Sequence, residues 1–180
     1  MADETSPPAA GQPGAEAAQP QLFIRAQYVK DLSFENPRAP ASLREGAAPQ
    51  VELSVSVNGR PMEGDDHEVA LVLTANAKHG DEVAFVAELT YAGVFHLSGF
   101  DPEQLRPLVM IECPRHLFPF ARRVLADCTR DGGFPPLMLD PIDFLALYRR
   151  SQEAAAAQAQ DGGGAGGNGG GNGNGQQGTA

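Results

Sequence analysis

The sequence predicts an α+β fold, a four-stranded antiparallel sheet followed by helices packed on one of its faces. Three observations predict it. Apolar residues recur at every second position in four segments between Leu22 and Leu97, the period of a strand with one buried face. From Asp101 onward the spacing lengthens to that of a helix. Strands come first and helices afterwards, with short turn signals between, which is the order of an α+β domain rather than of alternating βαβ units.

In the first strand, Leu22, Ile24, Ala26 and Tyr28 alternate with Phe23, Arg25 and Gln27, and the first four are expected to share a face. Prolines at 37, 40 and 49 then predict a long extended crossover loop, beginning near Asp31 and carrying an exposed Phe34. Val51, Leu53, Val55 and Val57 mark the second strand, with Asn58-Gly59 expected as a turn and Gly64-Asp65-Asp66 as another. Val69, Leu71, Leu73 and Ala75 mark the third, ended by His79-Gly80-Asp81. The fourth sets Val83, Phe85, Ala87, Leu89 and Tyr91 against Ala84, Val86, Glu88 and Thr90, and Gly93 is expected to bend it. One face of this sheet is apolar; the other is only partly polar and is a candidate docking surface.

Asp101-Pro102 with Glu103 reads as an N-cap, a proline in the first turn and an acidic start, predicting a helix to about Cys113, before Pro114. A second helix is expected from Arg115 to Arg130, with Leu117, Phe120, Val124, Leu125 and Cys128 on one side, stopped by Gly132-Gly133. A third begins at Asp140-Pro141-Ile142-Asp143, carries Phe144, Leu145, Leu147 and Tyr148, and is expected to fray through Ala154–Ala157.

Composition sets the limits of the domain. The first 20 residues hold prolines at 7, 8, 13 and 20, and the last 19 hold eleven of the 21 glycines. Such segments bury too little apolar surface to offset chain entropy, so residues 1–20 and 159–180 are expected as disordered tails around a domain at 21–158. The formal charge of −10 divides into −3 for residues 1–20, −5 for 21–150 (13 basic against 18 acidic) and −2 beyond. An acidic domain without a basic stripe is a poor match for a nucleic-acid backbone, so no nucleic acid is expected as partner. No apolar run approaches the ~18 residues of a membrane span, and Met1-Ala2-Asp3-Glu4 opens no secretory signal; a cytoplasmic location without membrane insertion is expected. Cys113 and Cys128 match no metal or redox spacing and read as reduced, half-buried packing residues. No metal site and no cofactor is expected, and no phosphate-cradling Gly-x-x-x-x-Gly-Lys-Ser/Thr loop occurs.

Four blocks, taken in order, resemble the SecB family of protein-export chaperones. They are Lys30-Asp31-Leu32-Ser33-Phe34-Glu35-x-Pro37-x-Ala39-Pro40; Phe85-Val86-Ala87-Glu88 followed by Gly93-Val94-Phe95; Cys113-Pro114-x-x-Leu117-Phe118-Pro119-Phe120-Ala121-Arg122; and Gly132-Gly133-Phe134-Pro135-Pro136-Leu137-x-Leu139-x-Pro141-Ile142-Asp143-Phe144. The resemblance implies a dimer of dimers with the first helix at the seam, here Leu105, Leu108, Val109 and Cys113. It also implies an ATP-independent holdase that keeps unfolded secretory precursors translocation-competent and delivers them to the SecA motor ATPase. By matching position, the motor contacts fall on Asp31, Glu35, Val86 and Glu88. Holding an unfolded chain calls for extended apolar surface. Phe34, Pro37, Pro40 and Leu43 suit one wall of a client groove, and Phe134 and Leu137 suit the other. Two departures stand out: the family often has a tryptophan in the crossover loop near Ala47, and this chain has none; and its tail is unusually rich in glycine and asparagine. One apolar subsite is therefore expected to be shallower.

Two other classes compete. A non-export adaptor or an antitoxin-associated chaperone would share the fold and differ in binding one native surface instead of many unfolded clients. An enzyme is not expected. His67, His79, His96 and His116 are scattered, no Gly-x-Ser-x-Gly or His-Glu-x-x-His occurs, and Cys113 near His116 reads as packing at a helix end.

Overall fold

A computed structural model of the chain describes residues 19–44 and 48–161. The greater part of both expected tails, and Ala47, lie outside the described residues. The chain divides into two compact units at Pro141/Ile142.

The first unit is built on one antiparallel sheet of β1 (Gln21–Glu35), β2 (Gln50–Pro61), β3 (Asp66–His79) and β4 (Glu82–Ser98), in the order β1-β4-β3-β2. Hairpins join β2 to β3 and β3 to β4, while β1 reaches the far edge through the 3₁₀ turn Ala41–Arg44. One face holds the core: Leu71, Leu73, Ala75, Ala87, Leu89 and Phe95 are fully buried on adjacent strands.

Four expectations change here. Asp31–Glu35 continue β1 instead of opening a loop, because pairing with β4 runs on to Glu35 opposite Val86, and the chain turns only at Pro37–Pro40. That turn is compact rather than extended: the Ser42 hydroxyl lies 2.7 Å from the Asn36 side-chain oxygen, and its amide donates to the Arg38 carbonyl at 3.1 Å. Asn58-Gly59 lies inside β2, and the reversal comes at Glu63–Asp65, closed by Met62 N–H to Asp66 O at 2.8 Å. Gly59 serves helix packing instead of a turn, and Gly93, where a bend was expected, also faces a helix. A Cβ on Gly59 would lie 2.2 Å from Val109 Cγ1, and one on Gly93 would lie 2.8 Å from Leu117 Cδ2.

The expected alternation in β1 also breaks. Register shifts at Ile24/Ala26 and Val29/Asp31 leave Arg25 and Lys30 as extra residues. Each bulge reverses the facing of everything after it. Leu22 and Ile24 therefore face the core side with Leu97 and Phe95, whereas Ala26 and Tyr28 pair with Val94 and Ala92 on the opposite face.

The two expected helices before Gly132 are one helical run: α1 (Pro102–Pro107), a π segment (Leu108–Glu112) and α2 (Cys113–Asp131). The Gln104 side chain accepts from the Asp101 N–H at 3.2 Å, and the Gln104 N–H returns to the Asp101 carbonyl at 2.9 Å, closing the N-terminus. Pro114 does not end the run. The wider π turn, in which the Cys113 N–H reaches back five residues to Leu108 O, spreads the backbone just before the ring that lacks a donor. The buried stripe of α2 is Leu117, Ala121, Leu125 and Thr129, with Phe118 beside it. Phe120 is exposed at its edge and stacks on Tyr91 at 6.4 Å.

In the second unit, α3 (Phe144–Asp161) is capped by Asp143, not Asp140: the Asp143 carboxylate accepts from the Ala146 N–H at 3.0 Å. The helix continues through Ala154–Ala157 to Asp161. No helix among the described residues is long and apolar enough to cross a membrane.

Candidate functional site

The second bulge of β1 divides residues 31–35 between the two faces of the sheet. Asp31, Ser33 and Glu35 pair with Thr90, Glu88 and Val86 and point away from the helices, while Leu32 and Phe34 pair with Leu89 and Ala87 on the helix side. Two candidate surfaces follow.

The outward face gathers Asp31, Glu35, Val86 and Glu88 into one patch. Asp31, Glu35 and Glu88 are exposed and Val86 is half-buried. The pairing carries the row further, from Glu35 through Val86 and Asn76 to Glu52 on β2. Glu52 escaped the motif comparison, although its place among the polar positions of β2 was the available signal. Among the described residues, none of these four carboxylates is engaged by a cation. Four exposed carboxylates gathered on one face of the sheet are suited to steering a basic partner.

On the helix side the centre is an aromatic cluster. Phe34 stacks on Phe85 at 5.5 Å and lies 6.4 Å from Phe134, and Phe85 and Phe134 are 4.8 Å apart. The Phe34 ring lies directly over Gly132, where a Cβ would come within 2.3 Å of it. Phe134 and Phe85 are buried, so the exposed apolar rim falls to their neighbours: Leu43 beside Gly133, Val51, and Met138 at 64% exposure. A cleft of about 160 Å³ is lined by Val51, Phe85, Phe134, Pro136, Leu137 and Met138. A wider one of about 450 Å³ lies on the other flank of Phe34, between Leu32, Val124 and Cys128, with Asp127 and Asp131 at its margin.

Of the expected groove residues, Phe34, Phe134 and Leu137 come together, and Leu43 joins them across Gly133. Pro37 and Pro40 sit on the turn and line neither cleft. Phe85, Val51 and Met138 were missed as groove residues, since Phe85 and Val51 read as strand positions and Met138 fell at an unassigned position of the last motif block. Thr129 was missed as well. Its hydroxyl is shared between the Leu125 and Ala126 carbonyls at 3.0 and 3.1 Å and accepts from the Leu137 N–H at 2.9 Å, so the helix end holds the cleft wall in place.

On the first helix, Val109 and Cys113 are buried within the chain itself, while Leu105 and Leu108 stay partly exposed. Burial, and to a lesser degree the Glu112 carboxylate, push the Cys113 thiol up to about 12. A thiol so enclosed and protonated is inert as a nucleophile.

The sequence profile of the family described as "Preprotein translocase subunit SecB" matches residues 15–155. Among curated proteins, the chain is 53% identical over 150 residues to the protein-export protein SecB of Maricaulis maris, spanning 83% of this chain and 86% of that one. It is 51% identical over 146 residues to the protein of the same name in Rhodopseudomonas palustris, spanning 81% and 92%. Among solved structures, it is similar in fold to the SecB-like chaperone of Mycobacterium tuberculosis in complex with a peptide from the HigA1 antitoxin. That match has a TM-score of 0.53 at 20% identity and covers 67% of this chain and 90% of that one.

Proposed function

The chain belongs to the SecB family of protein-export chaperones, which are not enzymes, and from that membership we propose that it is a nucleotide-independent holdase for unfolded secretory precursors that hands them to the SecA motor ATPase. The observation that carries the reading is the division of residues 31–35: one strand feeds an apolar cleft on one face and an acidic patch on the other. A holdase that delivers needs these two surfaces separate, so that the motor can dock while the client is still held.

In the apolar surface, an extended client lays side chains against Leu43, Val51 and Met138, with the cluster of Phe34, Phe85 and Phe134 as floor. Shallow subsites of this kind tolerate many sequences. In the acidic surface, Asp31, Glu35 and Glu88 receive a basic face of the motor and Val86 supplies an apolar contact. Leu105 and Leu108 are available for a seam between dimers, in a dimer of dimers acting in the cytoplasm. The adaptor or antitoxin-associated reading is not favoured, because the relatives at about half identity are export proteins.

The test is refolding of a slow-folding secretory precursor without nucleotide. Stoichiometric arrest, with little effect on precursor already folded, is the expected result; unchanged kinetics at micromolar excess would leave an adaptor that shares the fold. Charge reversal of Asp31 and Glu88 together should weaken SecA binding and spare the arrest.

A further inference from the structure

Both extra residues of β1 are cations, and each reaches across β4 to an acid on β3. Arg25, in the first bulge, places Nε 2.9 Å from an Asp66 carboxylate oxygen, which also lies 2.7 Å from His96 Nδ1. Lys30, in the second bulge, places Nζ 3.1 and 2.9 Å from the two oxygens of Glu68. Glu68 is unusual on this face. Its side chain is only 6% exposed, covered by Lys30, by the hydroxyl of Tyr28, which donates to it, and by Arg60 of β2, whose Nε lies 2.6 Å away. A carboxylate buried this deeply is strongly committed to its donors. Here the donors come from both edge strands.

We propose that Glu68 is a positioning residue for the acidic patch: by holding the Lys30 ammonium it pins the β1 bulge, and so keeps Asp31 and Glu35 facing outward. A bulge inserts one residue and reverses all facings beyond it. Within the chain β1 is an edge strand, hydrogen-bonded to β4 alone, and the side chain of its inserted residue Lys30 is held by Glu68. Releasing it lets residues 31–35 sample the register in which Leu32 and Phe34 face outward instead. The consequence for delivery rests on the motor-docking reading above; the pinning itself does not.

The experiment uses the full chain with Lys30→Met and the near-isosteric Glu68→Gln. Amide hydrogen exchange of residues 31–35 in the free protein is expected to quicken about tenfold or more, while amides of β2 and β3 keep their protection and show that the sheet is folded. SecA affinity is expected to fall about tenfold in both variants. Lys30→Met is the sharper of the two. Removing a cation makes the face more acidic, so a purely electrostatic role predicts tighter binding, whereas positioning predicts weaker binding. Lys30→Arg should restore both readouts. Unchanged exchange at 31–35 overturns the proposal, as does unchanged or tighter SecA binding in Lys30→Met when charge reversal at Asp31 and Glu88 abolishes it. If that charge reversal leaves SecA binding intact, the docking assignment fails and the exchange measurement alone decides the pinning.

Discussion

The two faces of the sheet are made from the same strands and do opposite things with them. On the helix side, β1 and β4 contribute Phe34 and Phe85 to an aromatic cluster held by ring stacking, beside a cleft wall that Thr129 fixes through Leu137. On the outward side, the alternate residues of the same segments, Asp31, Glu35 and Glu88, stay exposed and carry charge instead of packing. An apolar site needs shape, which packing supplies; an acidic site needs only position, which strand register supplies. The point where both depend on one residue is the bulge at Lys30.

Removing that residue tests whether the facing belongs to the bulge. Without Lys30, Val29 and Asp31 follow one another opposite Tyr91 and Thr90, so Asp31 and Glu35 should stay outward, Phe34 should keep its stack, and client arrest and SecA binding should both persist in the deletion, in contrast to Lys30→Met. Loss of SecA binding in the deletion would mean that Lys30 does more than occupy the bulge. A narrower cut should separate the two faces. Leu43→Asp with Met138→Asp changes exposed rim residues only, so stability should hold within about 0.5 kcal/mol per site while refolding arrest falls about tenfold and SecA affinity stays.

Salt should separate them again without mutation. Raising ionic strength from about 0.05 to about 0.5 M shortens the reach of exposed carboxylates, so SecA affinity should drop about tenfold while arrest of a client changes by less than about twofold. The smallest effect concerns acid. The Tyr28 hydroxyl first, then Lys30 and Arg60, hold the Glu68 carboxyl from its ordinary 4.5 down to about 2. A depressed carboxylate stabilises the fold above its unfolded pKa, and that contribution is lost as pH falls from about 4.5 toward 2. Unfolding followed across that window should show a shallower slope in Glu68→Gln than in the native chain.

Most of the sheet was legible because β2, β3 and β4 alternate over nearly their whole length; the exception is a shift at Ala77/Lys78 that leaves Ala84 extra and takes Val83 off the face of Phe85, where the sequence had placed it. β1 was not. A period-two reading assumes that no residue is inserted, and nothing in Ile24-Arg25-Ala26 or Val29-Lys30-Asp31 marks an insertion locally. The anchors that make the bulges tolerable, Asp66 and Glu68, lie about forty residues away in sequence. Asn58-Gly59 failed for a related reason: the glycine answers to Val109, on an element not yet reached by the chain. The groove was half legible, since aromatic and proline-rich loops signal exposed apolar surface, but which ring becomes floor and which residue becomes rim depends on tertiary packing.

The helical run from Pro102 to Asp131 has prolines at 107, 114 and 119 within it. Each costs an isolated helix about 3 kcal/mol, so this segment has no helical tendency of its own in water. Its shape is borrowed from the slots at Gly59 and Gly93 into which Val109 and Leu117 fit. The expected order of assembly is therefore sheet before helix, with the cleft wall tied to Thr129 closing after the hairpins of β2, β3 and β4, and pulsed hydrogen exchange during refolding would check it by protecting the strand amides ahead of the helical ones.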